Sequence, residues 1–263
     1  MSGNSERPAG GPARGQEPAQ PPGAGTGLGK VAHEAERLEQ QIEGRAPAWL
    51  RPHNPENRLP VVAAILVAMA LQLALPEAYG LRPRWLLPGL ELALLAILTV
   101  INPIRLTRST WLSKRANIAL VAAISLDNAA SSALLDYRIV TGQTGKEAAE
   151  LLGSGAAIYI TNIIAYGVWY WLLDRGGPFA RGAGEHPYPS FLFPQMSIGK
   201  LAPKDWVPRF FDYLYVSFTN ATAFSPTDTM PLTRWAKALM AAQSLVALST
   251  VALVVARAVN ILS

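Results

Sequence analysis

The chain has 263 residues, of which 50% are hydrophobic and 16% are charged, whereas soluble domains carry about 25% charged residues. It has no cysteine, which excludes disulfides and thiolate metal sites. Its three histidines, His33, His53 and His186, are too far apart to suggest a metal site, and no cofactor is expected. The net charge is +5, but no basic cluster alternates with aromatic residues, which argues against nucleic-acid binding. The apolar residues form blocks, a pattern that predicts a membrane protein whose main partner is the lipid bilayer.

The N-terminal part of the chain is polar. Residues 1–28 are rich in Gly, Pro, Ala and Gln. A segment of this composition cannot bury enough apolar surface to fold, so we expect a disordered tail. Residues 29–58 predict an amphipathic juxtamembrane helix, with Val31 to Ile42 along one face, followed by a linker. This helix either lies beside the membrane without a specific partner or pairs with a copy of itself, and both interpretations stay open.

Residues 59–150 predict the first three membrane helices. The apolar blocks are Pro60–Leu75, Trp85–Ile101 and Ala116–Leu135, which approach the roughly 20 residues needed to cross a bilayer. Glu91 lies near the start of the second block. Its carboxylate either faces a water-filled cavity or simply lies at the depth of the lipid headgroups.

The third block changes character halfway. It is apolar up to Leu126 and then continues with Asp127 and Asn128. If the helix crosses the membrane, these polar groups predict a functional site, because ionisable groups at membrane depth are costly. In the alternative, the helix ends near Leu126 and Asp127 caps a second, interfacial helix.

Residues 151–263 predict one further membrane helix and a re-entrant module. Leu151–Leu173 ends in aromatic residues suited to an interface, and it carries Asn162, which we expect to hydrogen-bond a neighbouring helix. Its Gly153 and Ala157 form a small-residue pair that permits close helix approach. The connection 174–209 contains no motif that indicates catalysis.

The last 50 residues have the order of a re-entrant loop. A short amphipathic run, Phe210–Phe224, precedes a polar strip, and an almost wholly apolar helix, Trp235–Val259, follows. Irregular backbone at membrane depth is tolerated only where protein or water covers it. We therefore expect the strip to lie inside the helical bundle.

This stretch resembles the pore module of potassium channels. In an alignment without gaps, the end of the channel pore helix corresponds to Ser217, Phe218 and Thr219. The segment TAFSPTD (Thr222–Asp228) then aligns with the TTVGYGD segment of those channels. Pro231 matches the proline after the filter, and three residues match the start of the inner helix: Thr233, Trp235 and Lys237. The strings SFT, FSPTD and ARAVNIL are also similar to a family of bacterial integral membrane proteins of unknown function.

The resemblance implies a homo-oligomer, four copies in a channel, with monovalent cations as possible partners. It also implies a set of pore-lining or loop residues: Thr219, Thr222, Ser225, Pro226, Thr227 and Asp228. A potassium filter needs glycines whose backbone angles ordinary residues avoid. Here those positions hold Ser225 and Thr227, with Pro226 between them. Potassium selectivity by the usual carbonyl ladder is therefore not expected.

The sequence as a whole predicts an all-α polytopic bundle of about five transmembrane helices and one re-entrant half-helix. Arg105, Arg108, Lys114 and Arg115 crowd the second connection, so the positive-inside rule predicts a cytoplasmic N-terminus, in the inner membrane of a cell. If four helices precede the re-entrant loop, the loop enters from the cytoplasm, opposite to a channel. If the Asp127 segment does not cross, the channel-like orientation returns.

Three functions compete. The favoured one is a non-enzymatic structural or sensory membrane protein that reuses the pore scaffold, and the alternative is an oligomeric, weakly selective channel for ions or small solutes. The third is an intramembrane enzyme built on Asp127, Asn128 and Asp228. It is disfavoured, because the sequence shows no nucleophile with its base and no catalytic residue is assigned.

Overall fold

The structure is a computed structural model that describes residues 46–262 except 82, 84, 102–109, 145–146, 199–200 and 223–228. The tail and the amphipathic helix predicted within residues 1–45 lie outside the described residues. The same holds for Arg105 and Arg108 and for four of the loop candidates: Ser225, Pro226, Thr227 and Asp228.

The described residues are 74% helical and include two strands of two residues each, which confirms the all-α prediction. Two short 3-10 turns, Ala48–Leu50 and Asp174–Gly176, accompany the helices. The α-helices, numbered in chain order, are α1 Leu59–Ala74, α2 Leu86–Ile101, α3 Trp111–Val140, α4 Ala148–Leu173, α5 Pro178–Gly182, α6 Pro194–Ser197, α7 Phe210–Thr222 and α8 Arg234–Leu262.

Three of these helices are long and apolar enough to cross a membrane, namely α3, α4 with its 3-10 extension, and α8. Helices α1 and α2 are apolar but have only 16 residues each. Most observed bounds lie within about three residues of the predicted apolar blocks, several of which end at prolines. Helix α3 is the exception: it runs from Trp111 to Val140, whereas the predicted block was Ala116–Leu135.

Helix α3 runs without a break through the polar half of its sequence. The Thr110 hydroxyl accepts from the backbone N–H of Ser113, and the Ser113 hydroxyl accepts from the backbone N–H of Thr110, a capping box that starts the helix. The helix then continues for 30 residues. The alternative in which it ends near Leu126 is therefore wrong: Asp127 and Asn128 lie in the middle of one helix, where both are buried.

Helix α4 is the centre of the bundle. In the most apolar stretch of α4, 67% is buried inside the structure, whereas the corresponding figures are 50% for α3 and 28% for α8. Helix α4 therefore has neighbours on most sides. One hydrophobic core joins residues from α1, α2, α3, α4, α7 and α8. The predicted segments 59–150 and 151–263 thus both contribute to this core.

The closest approach of α4 to α8 occurs at a glycine. A Cβ placed on Gly155 would lie 2.9 Å from both methyl carbons of Val254, so only glycine fits there without displacement. The sequence pointed to Gly153 instead, and this was wrong, because a Cβ on Gly153 would meet no atom within 4 Å. The two glycines point to nearly opposite sides of α4, about 160° apart around the helix axis, and only packing shows which side meets α8.

The connection after α4 folds back over one end of the bundle. Strand β1 (Phe191–Leu192) pairs antiparallel with β2 (Met230–Pro231), with Phe191 opposite Pro231. Strand β2 directly precedes α8, so this pairing ties the connection to the beginning of α8. The polar strip between α7 and β2 is consequently flanked by fixed backbone on both sides.

Candidate functional site

The half-helix α7 is attached to α4 and α8 through buried hydrogen bonds. Ser217 is fully buried, and its hydroxyl donates to the carbonyl of Ile163 on α4 at 2.6 Å. From α8, the Gln243 side-chain NH₂ donates to the Ser217 carbonyl at 2.8 Å and approaches the Ser217 hydroxyl oxygen at 2.7 Å. Ser217 therefore holds three helices together.

Gln243 also accepts hydrogen bonds at its other end. Its Oε1 accepts from the Tyr170 hydroxyl at 2.6 Å and from the Asn220 side-chain amide at 2.9 Å. The same Asn220 amide donates to the carbonyl of Met240 at 2.9 Å. Because Gln243 is fully buried, leaving any of these groups without a partner would carry a desolvation cost. The last turns of α7 are therefore held rigidly between α4 and α8.

The two described pore candidates use their hydroxyls within their own helix. Thr219 donates to the carbonyl of Tyr215 at 2.9 Å, and Thr222 donates to the carbonyl of Thr219 at 2.9 Å. Both side chains are partly exposed. Both hydroxyls are therefore hydrogen-bonded to backbone carbonyls of α7. The remaining pore candidates lie outside the described residues.

Comparison of the chain with protein-family models, with curated proteins and with solved structures finds no match. The similarity to potassium-channel pore modules stays a prediction from the sequence.

A second buried polar cluster lies where the connection after α4 meets the bundle. Arg181, at 0% exposure, donates from Nη2 to Glu56 at 3.1 Å and from Nη1 to the carbonyls of Trp171 at 2.7 Å and Asp174 at 2.9 Å. Glu56 in turn accepts from the Trp171 indole N–H at 2.6 Å. The pKa of Arg181 is raised: burial lowers it, but the neighbouring Tyr213, Glu56 and Asp174 outweigh that effect.

Asp174 is the second carboxylate of this cluster, and each of its oxygens has a partner. Oδ1 accepts from the backbone N–H of Ser190 at 2.6 Å, and Oδ2 accepts from the Tyr213 hydroxyl at 2.7 Å. Burial raises the pKa of Tyr213 well above its usual value, so its hydroxyl keeps the proton that it donates. We call Glu56, Asp174, Arg181 and Tyr213 the cap cluster. Because its carboxylates are satisfied, it is suited to holding the connection in place.

The intramembrane polar residues predicted from the sequence are all buried. Asp127 and Asn128 on α3, Asn162 on α4 and Glu91 on α2 are each less than 10% exposed. Both oxygens of Glu91 and both polar atoms of the Asn162 amide have no hydrogen-bond partner among the described residues. Between α3 and α8, Ser132 and Thr250 share a hydrogen bond of 2.7 Å. The interior of the bundle is therefore polar along α3.

Several residues that organise these sites were missed from the sequence. The apolar block Trp235–Val259 contains a single amide side chain, Gln243, and no carboxylate. This exception could have indicated from the sequence that Gln243 has a buried polar partner. Arg181 and Asp174 gave no such signal, because charged residues in a Gly- and Pro-rich connection usually face water. No group of three or more His, Asp or Glu residues able to hold a metal occurs within the described chain.

Proposed function

We propose that this chain is a multi-pass integral membrane protein with a non-enzymatic structural or sensory role, in which residues 151–263 form a rigid module related to a channel pore but lacking its filter. The observation that carries the proposal is the double attachment of Ser217 to Gln243, at 2.8 and 2.7 Å. It supports a half-helix that acts as a fixed scaffold element. The residues that replace the filter glycines, Ser225 and Thr227, support a module that does not conduct.

The proposal includes a topology of five crossing helices and one half-helix. The continuous 30-residue α3 supports a crossing at that position. Helices α1 and α2, at about 24 Å each, are shorter than the roughly 30 Å hydrocarbon core, so they require flanking residues or local thinning of the bilayer. With a cytoplasmic N-terminus, α7 then enters from the cytoplasmic side, opposite to a channel pore helix.

The test is ion flux in liposomes that contain the purified full-length protein. We expect no uptake of sodium or potassium above empty liposomes, at either sign of the membrane potential and between pH 5 and 8, while an added ionophore restores uptake. A variant Gln243→Leu, which loosens α7, serves as the matched comparison and should also be inactive. Flux by the wild type that Asp228→Asn reduces would overturn the proposal.

A second candidate is an oligomeric, weakly selective channel. It is favoured by the outer face of α8, where Leu245, Leu248 and Val255 are 71%, 62% and 50% exposed. A single re-entrant loop cannot enclose a pore, so a channel requires several copies assembled around an axis. The inner helix of each copy then needs an exposed face through which it contacts the other copies. Lipid also covers such faces. Flux together with a tetramer in native mass analysis would support the channel, and a monomer without flux would remove it.

A further inference from the structure

A cavity of about 270 Å³ lies between the beginning of α7 and the connection after α4. Three separate segments of the chain form its wall. The residues that the argument uses are Phe193, Gln195, Phe211, Asp212, Tyr215 and Thr229. Ligand pockets measure about 300–1,000 Å³, so this cavity is near the lower end of that range and fits a small organic group.

Strand pairing and ring contacts hold the wall together. Leu192 on β1 is paired with Met230 on β2. The residues next to this pair, Phe193 after β1 and Thr229 before β2, both line the cavity and are both buried. The ring of Phe193 also packs edge-on against that of Tyr213 on α7, with 5.3 Å between the ring centroids. Contacts between distant parts of the chain therefore bring the three segments to one place.

The wall carries a negative charge. Among the described residues that line the cavity, Asp212 is the one with a formal charge. Its Oδ2 accepts from the backbone N–H of Arg209 at 2.7 Å, and it has no ion-pair partner within 4.0 Å in the described part of the chain. The carboxylate is half-buried. A concave wall with charge of one sign attracts the opposite charge, so the cavity favours a cation.

The wall also carries an acceptor without a donor. Oε1 of Gln195 is buried and has no hydrogen-bond partner among the described residues. A buried acceptor that lacks a donor is unfavourable. A ligand that brings N–H groups into the cavity would supply this donor as well as the positive charge.

Three aromatic rings, those of Phe193, Phe211 and Tyr215, complete the wall. Aromatic rings attract organic cations and pack against apolar groups. A quaternary ammonium has no N–H for Gln195, and a hard metal ion such as Ca²⁺ takes more oxygen ligands than this wall offers. We propose that the cavity binds a primary ammonium group, which donates to Asp212 and Gln195 while the carbon next to it lies against the rings.

A primary ammonium group has two possible sources, a free organic amine and the headgroup of phosphatidylethanolamine. Both present the same chemistry to the cavity, and the experiment distinguishes them. The inference is independent of whether residues 151–263 conduct ions, because it concerns a cavity beside the beginning of α7. Ion flux tests the proposed function and ligand binding tests the cavity, so either can fail without the other.

The experiment is isothermal titration calorimetry of the detergent-solubilised full-length protein with benzylammonium at pH 7, where a primary amine is protonated. Benzyltrimethylammonium and benzyl alcohol are the comparison compounds, since the first lacks N–H groups and the second lacks the charge. We expect saturable binding of benzylammonium, at least about tenfold tighter than that of either comparison compound, because hydrogen bonds between charged groups are the strong ones.

Substitutions identify the residues. Asp212→Asn removes the charge but keeps an acceptor for the Arg209 N–H, and the affinity for benzylammonium should fall at least about tenfold. Asp205→Asn removes the same charge from an exposed position of the connection outside the wall and should bind as the wild type does. Gln195→Met keeps the side-chain length without the acceptor. It should bind about threefold more weakly or worse, and it replaces Asp212→Asn if that variant does not fold.

Nanodiscs of phosphatidylcholine, with and without phosphatidylethanolamine, distinguish the two sources. A weaker apparent affinity for benzylammonium in the presence of phosphatidylethanolamine supports the inference with the lipid headgroup as ligand, and an equal affinity supports it with a free amine.

Four results would overturn the inference. They are no saturable binding of benzylammonium, binding of either comparison compound that is as tight or tighter, unchanged binding in whichever of Asp212→Asn and Gln195→Met folds, and an equal loss in Asp205→Asn.

Discussion

Ser217 on α7 and Gln243 on α8 are joined through both the backbone carbonyl and the hydroxyl of the serine, at 2.8 and 2.7 Å, although 26 residues separate them in the chain. The serine hydroxyl continues to α4 through Ile163. A half-helix too short to be stable by itself is in this way held by two long helices. The stability of this attachment can be measured directly.

Replacing Gln243 with Leu keeps the side-chain volume but removes every polar contact. The Tyr170 hydroxyl and the Ser217 carbonyl then lose a buried partner. We expect the free energy of unfolding to fall by about 1–3 kcal/mol, measured by equilibrium unfolding in mixed micelles. Leu248→Ala is the control on the same helix, since that side chain is 62% exposed. Equal effects of both substitutions would contradict the attachment.

Tyr213→Phe should weaken the cap cluster. The substitution leaves one Asp174 oxygen without the hydroxyl that now lies 2.7 Å away, at a fully buried position. The expected loss in free energy of unfolding is about 1–3 kcal/mol. Tyr215→Phe, on the same helix but 62% exposed, should change it by less than about 0.5 kcal/mol. The prediction fails if the two phenylalanine variants unfold alike.

The Glu56–Arg181 ion pair should be strongly coupled. Its side chains are 5% and 1% exposed, so removal of either partner leaves the other charge buried. We expect Glu56→Ala and Arg181→Met each to cost about 3–5 kcal/mol. The double variant should cost clearly less than the sum, because neither Glu56 nor Arg181 is then left buried without the other. Strict additivity in this mutant cycle, measured by unfolding in mixed micelles, would show that the pair does not act as a unit.

Gly155→Ala and Gly153→Ala should have opposite effects. At Gly155 the added methyl group lies 2.9 Å from Val254, and overpacking of this kind outweighs the better helix propensity of alanine by about 1–2 kcal/mol. At Gly153 nothing lies within 4 Å, so alanine should stabilise by up to about 1 kcal/mol. Val254→Ala should relieve the clash in the Gly155→Ala background. A stabilised Gly155→Ala variant would show that the helices are not in close contact there.

Cysteine labelling can test the topology without background, because the chain contains no cysteine. Tyr188, which is 87% exposed in the connection after α4, should react as Tyr188→Cys from the cytoplasmic side. Gln143, exposed between α3 and α4, should react as Gln143→Cys from the opposite side. An impermeant maleimide applied to sealed vesicles of known orientation distinguishes the two. Labelling of both from one side would mean that α4 does not cross.

The helices were predictable because their signals are local. The length and hydrophobicity of a block such as Leu151–Leu173 can be read from that segment alone. Prolines and charged residues near its ends indicate where the helix stops. For α3 the sequence left two interpretations open, a crossing helix and a helix that ends near Leu126, and the structure shows a continuous helix. Their burial shows why the helix continues: neighbouring helices cover these side chains, which the sequence of α3 alone does not reveal.

The amino-acid sequence determined by itself that this is an all-α chain with helices long and apolar enough for a membrane, because hydrophobicity is a property of each segment. Only the tertiary structure decided which polar side chains meet. Ser217, Ile163 and Gln243 come from three helices, and the hydrogen-bonded pair Ser132 and Thr250 comes from two. Such groups combine through helix packing, whose rotation and register depend on contacts between residues far apart in the chain, and no local pattern records them.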